Sequence, residues 1–335
     1  MIKTPKNLAD FLSEQQVGEP LKCLLLKLSD ICIAIAEMTS KGALASITEK
    51  LQTQNVQGET QTQLDVICND IFIDELTKCV LVAGLASEEE DEVCNIRQAK
   101  YLVLFDPLDG SSNVAINVTV GSIFSILKAP IDRLPTKQDY LQAGKHQVAA
   151  GYALYGPATM LVISFGNGTH GFTLDSETHT FLLTHLNMQV AESTSEFAIN
   201  ASNERFWEPP VERYIHECKA GEAGVRGRDF NMRWVASMVA EVHRILLRGG
   251  IYLYPRDSKI PIKAGRLRLM YELNPMSMLI EQAGGKSSTG KIRVLEMEPE
   301  EIHQRAPIII GTSQEVSLVE HYTQSFESGD VQKGF

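Results

Sequence analysis

The chain has 335 residues, of which 44% are hydrophobic and 22% are charged, proportions typical of a globular protein with a sizeable core. Its 31 basic and 42 acidic residues give a formal net charge of −11, which argues against nucleic acid or an anionic membrane as a partner, because both need a basic surface. Phosphate ligands stay admissible, since local basic residues, backbone N–H groups and metal ions can hold them.

The N-terminal segment and the cysteines indicate a compartment. MIKTPKNLADFLSEQQ contains no apolar core followed by a small-residue cleavage site, and no apolar run reaches the roughly 20 residues of a membrane helix. The six cysteines are scattered without a CxxC pair, which favours reduced, buried thiols. We therefore expect a cytoplasmic protein.

Apolar periodicity in the first half predicts helices followed by strands. A long amphipathic helix is expected over 21–38, entered after Pro20 and ending near Gly42. The Gln- and Thr-rich stretch 48–63 has the composition of a mobile loop. Helical spacing resumes at 64–76, and strands are predicted at 79–85, 101–105, 122–127, 148–155, 160–165 and 170–174.

The second half begins with a more polar section near residue 193. Helices are predicted at 232–247 and 275–283, strands at 251–254 and 307–311, and a final helix after them. This order indicates an α/β fold of stacked sheet and helix layers. We expect two stacked domains, 1–190 and 191–335.

The segment YLVLFDPLDGSSN carries the clearest chemical signal. Its apolar strand delivers Asp106 and Asp109, and two carboxylates three residues apart at a strand end can converge on one Mg²⁺. Gly110, Ser111 and Ser112 follow, so that backbone N–H groups and hydroxyls can face a phosphate. A polar tight turn is the structural alternative, but the combination favours a metal and phosphate site.

Further acids and bases are candidates for the same site. Glu88 and Glu89 end the preceding strand, and ligands of α/β sheets collect at the carboxyl ends of strands. Glu59 and Asp65 flank the polar stretch. In GRLRLMYELNPM, alternation places Arg266 and Arg268 on one strand face, before Glu272. Solvated arginines on an edge strand are the alternative for this last segment.

Seven segments, in order and spacing, resemble class I fructose-1,6-bisphosphatases over nearly the whole chain. They are SEEED, FDPLDGSSN, VAAGYALYGPATMLV, SMVAEVHR, GGIYLYP, RLRLMYELNPM and EIHQRAP. The resemblance implies a five-layer αβαβα sugar phosphatase fold, a homotetramer, and Mg²⁺-dependent hydrolysis of fructose 1,6-bisphosphate to fructose 6-phosphate and phosphate, as in gluconeogenesis. Mn²⁺ and Zn²⁺ are alternative cofactors.

The resemblance also implies roles for individual residues. The attacking water would be handled by Asp65 and Glu89, with Glu59 in a loop that closes over the metals. The metal ligands would be Glu88, Asp106, the carbonyl of Leu108, Asp109 and Glu272. The 1-phosphate would face Asp109, Gly110, Ser111, Ser112 and Arg268, and the sugar and 6-phosphate would face Asn200, Arg233, Tyr254 and Arg266, with Arg233 reaching a neighbouring subunit.

The chain departs from the family pattern at some positions. Arg266 replaces the usual Lys, and Trp234 stands where vertebrate-type members have Tyr. Glu19, Lys100 and Tyr101 match parts of an AMP effector site, for which simple structural roles are the alternative.

Two alternatives to fructose 1,6-bisphosphate hydrolysis remain open from the sequence. Sedoheptulose 1,7-bisphosphate shares the C1 phosphate end, so the phosphate turn does not separate the two substrates. A catalytically silent sugar-phosphate sensor would be expected to lose acids from the metal cluster. Here every acid is present, with Glu in place of Asp at Glu59.

Overall fold

The structure, a computed structural model, describes residues 6–41, 50–54, 60–259 and 265–329. Within them the helices are α1 (Leu8–Glu14), α2 (Glu19–Lys41), α3 (Gln63–Lys78), α4 (Lys137–Tyr140), α5 (Pro209–Lys219), α6 (Met238–Arg248), α7 (Asn274–Gln282) and α8 (Ser313–Glu327). The strands of the first half are β1 (Lys50–Gln54), β2 (Thr60–Thr62), β3 (Val82–Ser87), β4 (Cys94–Asn95), β5 (Tyr101–Asp109), β6 (Val120–Lys128), β7 (Ala149–Tyr155), β8 (Thr159–Ser164), β9 (His170–Asp175) and β10 (Thr180–His185). Those of the second half are β11 (Glu196–Ala198), β12 (Asn231–Met232), β13 (Ile251–Tyr254), β14 (Leu267–Arg268), β15 (Lys286–Ser288), β16 (Arg305–Ala306) and β17 (Ile308–Gly311).

Two sheets form the frame of the described chain. The larger has the strand order β10-β9-β8-β7-β6-β5-β3-β4, in which β3 and β5 are parallel and the other pairs are antiparallel. The smaller has the order β12-β11-β13-β17-β15. Because β3 and β5 run in the same direction, their carboxyl ends meet at one edge, where Glu88 and Asp106 lie.

Side-chain alternation along β5 assigns each face of the larger sheet to a different helix layer. Leu102 and Leu104 pack with α6 and α7, whereas Val103 and Phe105 pack with α2 and α3. The helices α6 and α7 also cover one face of the smaller sheet, and α5 and α8 cover its other face. The five layers expected from the sequence, αβαβα, are confirmed.

Some predicted elements differ from the observed ones. Instead of a loop throughout 48–63, β1 and β2 pair antiparallel. Strand β5 continues past Phe105 to Asp109, with an irregular register against β6 between Asp106 and Asp109. The DPLD motif is therefore a strand irregularity rather than a separate turn. Helix α6 begins at Met238, not Met232, because Ser237 caps it.

No helix in the described ranges combines the length and apolarity that crossing a membrane requires.

Candidate active site

A cavity of about 660 Å³ opens where the two halves of the chain meet, a size typical of small-ligand sites. It lies where β3 and β5 end and where β13 and β14 approach from the second half of the chain. The predicted site residues that line it are Glu88, Glu89, Asp106, Leu108, Asp109, Gly110, Ser111, Ser112, Asn200, Tyr254, Arg266, Arg268 and Glu272. Most of the sequence-predicted site is thus brought together.

Three buried carboxylates form the centre of this cavity. Asp106, Asp109 and Glu272 each offer one oxygen, and these atoms lie within 4.8 Å of one another. Burial raises the pKa of all three carboxyl groups, and it raises those of Asp106 and Glu272 well above their usual range. Repulsion from Glu88 raises the pKa values of Asp106 and Glu272 further. A hard divalent cation relieves this repulsion and prefers carboxylate oxygens, so the donor set fits Mg²⁺.

Local backbone geometry aims the carboxylates of the DPLD motif. The Leu108 N–H donates to Oδ1 of Asp106 at 2.9 Å, and the Ser122 hydroxyl donates to the Pro107 carbonyl at 2.7 Å. The Ser122 hydroxyl also lies 2.8 Å from the Tyr155 hydroxyl. These bonds fix the strand irregularity that places Asp106 and Asp109 on the cavity side.

Gly110 is required by the turn that follows. Its φ of +76° is in the left-handed region, and an added Cβ would lie 2.8 Å from the Ser237 Cβ. Directly after it, Ser111 begins a 3₁₀ turn, and the small residues Gly110, Ser111 and Ser112 line the cavity. This geometry suits an anion beside the carboxylates.

Asp65 lies at the start of α3, outside the group of cavity-lining residues. It forms a capping box with Thr62, which does line the cavity. Burial raises the pKa of Asp65 to about 6, against the opposing effect of hydrogen bonds from Thr62. Repulsion from Glu89 acts in the same direction as burial. A carboxyl with this pKa can take up and release a proton near neutrality.

The end of the cavity that the second half of the chain forms is lined by aromatic and basic side chains. The Trp234 ring stacks on Tyr252 with centroids 5.9 Å apart and is tilted against Tyr254. The Arg266 guanidinium donates to Asp257 at 3.1 Å. The Oδ1 of Asn200 accepts from the backbone and hydroxyl of Ser202, which fixes the turn at its edge.

Other predicted residues lie apart from this cavity. Arg233 is half exposed, with its Nε 3.7 Å from the Glu196 carboxylate. Glu19 begins α2, Lys100 is exposed, and Tyr101 begins β5, so the proposed effector residues lie away from the carboxylate cluster. Glu59 lies outside the described residues.

Some functional positions were not identified from the sequence. Ser237 caps α6 and contacts Asp109. The sequence pattern that could have identified it is a Ser directly before an amphipathic helix. Thr62 precedes Asp65 by three residues, the spacing of a capping box. Asp257 and Arg305 line the cavity with no comparable local signal.

The five-layer fold, with buried carboxylates beside a Gly-Ser-Ser turn, defines a protein of the sugar phosphatase class. Residues 7–186 match the N-terminal domain of fructose-1-6-bisphosphatase, and residues 190–324 match its C-terminal domain. The chain belongs to the fructose-1,6-bisphosphatase family.

Individual relatives agree with this assignment. The chain is 57% identical over 318 residues to a fructose-1,6-bisphosphatase class 1 of Acinetobacter baumannii, covering 94% of this chain and 98% of the relative. It is 54% identical over 322 residues to that of Hydrogenophilus thermoluteolus, covering 94% and 90%. The crystal structure of Leishmania major fructose-1,6-bisphosphatase in holo form superposes with a TM-score of 0.90 at 35% identity, covering 96% of this chain and 99% of that chain.

Proposed function

We propose that this protein hydrolyses fructose 1,6-bisphosphate to fructose 6-phosphate and phosphate. The observation that carries the proposal is the convergence of Asp106, Asp109 and Glu272 within 4.8 Å, next to the Gly110 turn. The names of the relatives support the substrate. Hydrolysis breaks the phosphorus–oxygen bond at C1 while water supplies the hydroxyl of phosphate and the proton of the sugar hydroxyl.

The acidic cluster is assigned to divalent cations. Asp106, Asp109 and Glu272, with Glu88 and the Leu108 carbonyl, would hold Mg²⁺, and Mn²⁺ or Zn²⁺ would satisfy the same donors. When bound, such a cation lowers the pKa of water and neutralises charge on the phosphoryl group.

The remaining residues bind and orient the substrate and move the proton. The Ser111 and Ser112 groups and the Arg268 guanidinium would hold the 1-phosphate in line for attack. Asp65 and Glu89 would accept the proton of the attacking water, a role that the raised pKa of Asp65 supports. Glu59 would assist them.

The sugar and 6-phosphate would lie at the aromatic end. Tyr254, Arg266 and Asn200 would contact them there, and Arg233 would act from a neighbouring subunit of a homotetramer. This last assignment agrees with the half-exposed side chain of Arg233, which pairs with Glu196 and does not line the cavity of its own chain. Analytical ultracentrifugation tests whether the protein forms a homotetramer. The cytoplasmic location stays a prediction.

The chain would divide near residue 190 into an N-terminal domain and a C-terminal domain. The family matches, which end at residue 186 and begin again at residue 190, support this division. Limited proteolysis that first cleaves elsewhere in the chain would argue against it.

The product identifies the reaction. Phosphorus NMR of a reaction with fructose 1,6-bisphosphate and Mg²⁺ should show fructose 6-phosphate and inorganic phosphate in equal amounts. Accumulation of fructose 1-phosphate, or faster turnover of sedoheptulose 1,7-bisphosphate in a parallel reaction, would overturn the assignment. AMP added at millimolar concentration tests whether Glu19, Lys100 and Tyr101 form an effector site; unchanged rates would leave them structural roles.

A further inference from the structure

Ser237 joins the second half of the chain to a carboxylate of the first half. Its side chain is buried, and its hydroxyl donates to Oδ2 of Asp109 at 2.7 Å. The Val239 N–H donates to the same oxygen at 2.9 Å. The backbone N–H of Met238 is a further donor to the Asp109 carboxylate, so residues 237–239 hold this group with three donors.

The segment that carries Ser237 is itself held in place. The Asn113 amide donates to the Val235 carbonyl at 3.0 Å, and the Val235 N–H donates to Glu241 at 2.8 Å. Between these anchors Ala236 has a φ of +59°, a left-handed conformation that costs a non-glycine residue about 1–2 kcal/mol. The segment keeps this strained geometry where it enters the cavity.

We propose that Ser237 is a positioning residue, which orients the Asp109 carboxylate for cation binding. The inference rests on the proposed function, in which Asp109 is a metal ligand. Two donors on one carboxylate oxygen fix the rotation of the group, and partners of this kind orient ligands around bound metals.

Capping of α6 is the competing explanation for Ser237. Its Oγ accepts from the Ala240 N–H at 3.3 Å, as an N-cap does. Two substitutions separate the roles. Glycine is tolerated at an N-cap at a cost of a few tenths of a kcal/mol, whereas alanine costs about 1 kcal/mol. Both lack the hydroxyl that contacts Asp109.

The test is a titration of the full chain with Mn²⁺, in which the electron paramagnetic resonance signal of free Mn²⁺ measures how much of the cation is unbound. Wild type, Ser237→Ala, Ser237→Gly and the control Asn7→Ala are compared, with thermal unfolding of each. Asn7 caps α1, and its Oδ1 accepts from the Asp10 N–H at 2.8 Å. Both Ser237 variants should bind Mn²⁺ about tenfold more weakly, and Asn7→Ala should bind it as wild type does.

The outcomes separate this inference from the proposed function. Wild-type affinity in Ser237→Gly, or a loss of affinity that follows the loss in Tm across all three variants, would overturn the positioning role. Phosphate release from fructose 1,6-bisphosphate is measured on wild type in parallel. A wild type that binds Mn²⁺ but releases no phosphate would overturn the proposed function alone, and one that binds no Mn²⁺ would overturn both.

Discussion

The guanidinium of Arg268 lies 2.8 Å from the carboxylate of Glu88 (Nη1 to Oε1), and both side chains are buried. This pair joins β14, in the second half of the chain, to the acidic segment that follows β3. It places one positive charge among the carboxylates of the cavity. The backbone N–H of Arg268 also donates to Oε2 of Glu272 at 2.6 Å, so Arg268 contacts two of the predicted metal ligands, Glu88 and Glu272.

Replacing Arg268 should destabilise the metal-free protein. Arg268→Gln leaves Glu88 buried without its cationic partner, and breaking a buried pair costs about 3–5 kcal/mol. Urea unfolding in EDTA measures this loss. Added Mg²⁺ should recover part of it, because a cation restores the missing positive charge, while turnover stays impaired. Arg293→Gln is the control, since its pair with Glu281 is partly exposed and worth about 1 kcal/mol or less. Equal losses in the two variants would contradict the account.

Neutralising Asp106 should have the opposite effect on stability. Burial, then repulsion from Glu88, Asp109 and Glu272, raises the pKa of Asp106 well above its usual range. Asp106→Asn removes that repulsion, so the unfolding free energy in EDTA at pH 7 should rise. The increase in Tm on adding Mg²⁺ should disappear, and turnover should fall about 100-fold or more. A variant with substantial turnover at saturating Mg²⁺ would refute the ligand assignment.

Asp65 should affect turnover more than stability. Asp65→Asn keeps an oxygen for the capping box with Thr62 but loses the proton acceptor, so kcat should fall about 10²- to 10⁴-fold. Steady-state kinetics and thermal unfolding are measured together. Asp139→Asn is a matched control, because Asp139 forms the same capping box with Thr136 on α4, away from the cavity. A comparable loss of kcat in Asp139→Asn would show that capping, not proton transfer, explains the effect.

His243 should make the fold sensitive to acid. Its Nδ1 lies 2.8 Å from the Tyr152 hydroxyl, and burial lowers its pKa from 6.5 to about 4. As the pH falls, the unfolded chain therefore takes up the proton at a higher pH than the folded chain does. The contribution of neutral His243 to stability is complete above pH 6.5 and is lost as the pH falls to about 4. The loss is about 3 kcal/mol.

His243→Gln has no imidazole to protonate and should lose about 3 kcal/mol less than wild type over this range. Unfolding free energies from urea titrations at several pH values measure the difference. Parallel curves for the two proteins would show that His243 does not titrate with this shift.

The chemistry of the site is largely predictable from sequence because much of it is local. Asp106, Asp109 and Gly110 belong to one short segment, whose strand and turn residues indicate a cation beside an anion. The helix predicted at 232–247 begins later than its apolar spacing indicates, because the positive φ of Ala236 and the cap at Ser237 start α6 at Met238.

Contacts between distant segments could not be obtained in this way. The Arg268–Glu88 pair and the Ser237–Asp109 hydrogen bond each join the two halves of the chain. They depend on how the sheets and the helices α6 and α7 pack, and no spacing in the sequence encodes that packing. The strand predicted to carry both Arg266 and Arg268 is shorter in the structure, because β14 is only Leu267–Arg268 and the chain then turns into a helix.

The central claim is that the carboxylates of this cavity bind a divalent cation that hydrolysis of fructose 1,6-bisphosphate requires. Phosphate release by purified wild-type protein, measured in EDTA and then at saturating Mg²⁺, tests it most directly. The account predicts no turnover in EDTA and, with Mg²⁺, a kcat/KM of at least about 10⁴ M⁻¹s⁻¹. Phosphate release that is equal under the two conditions, or absent under both, would contradict it.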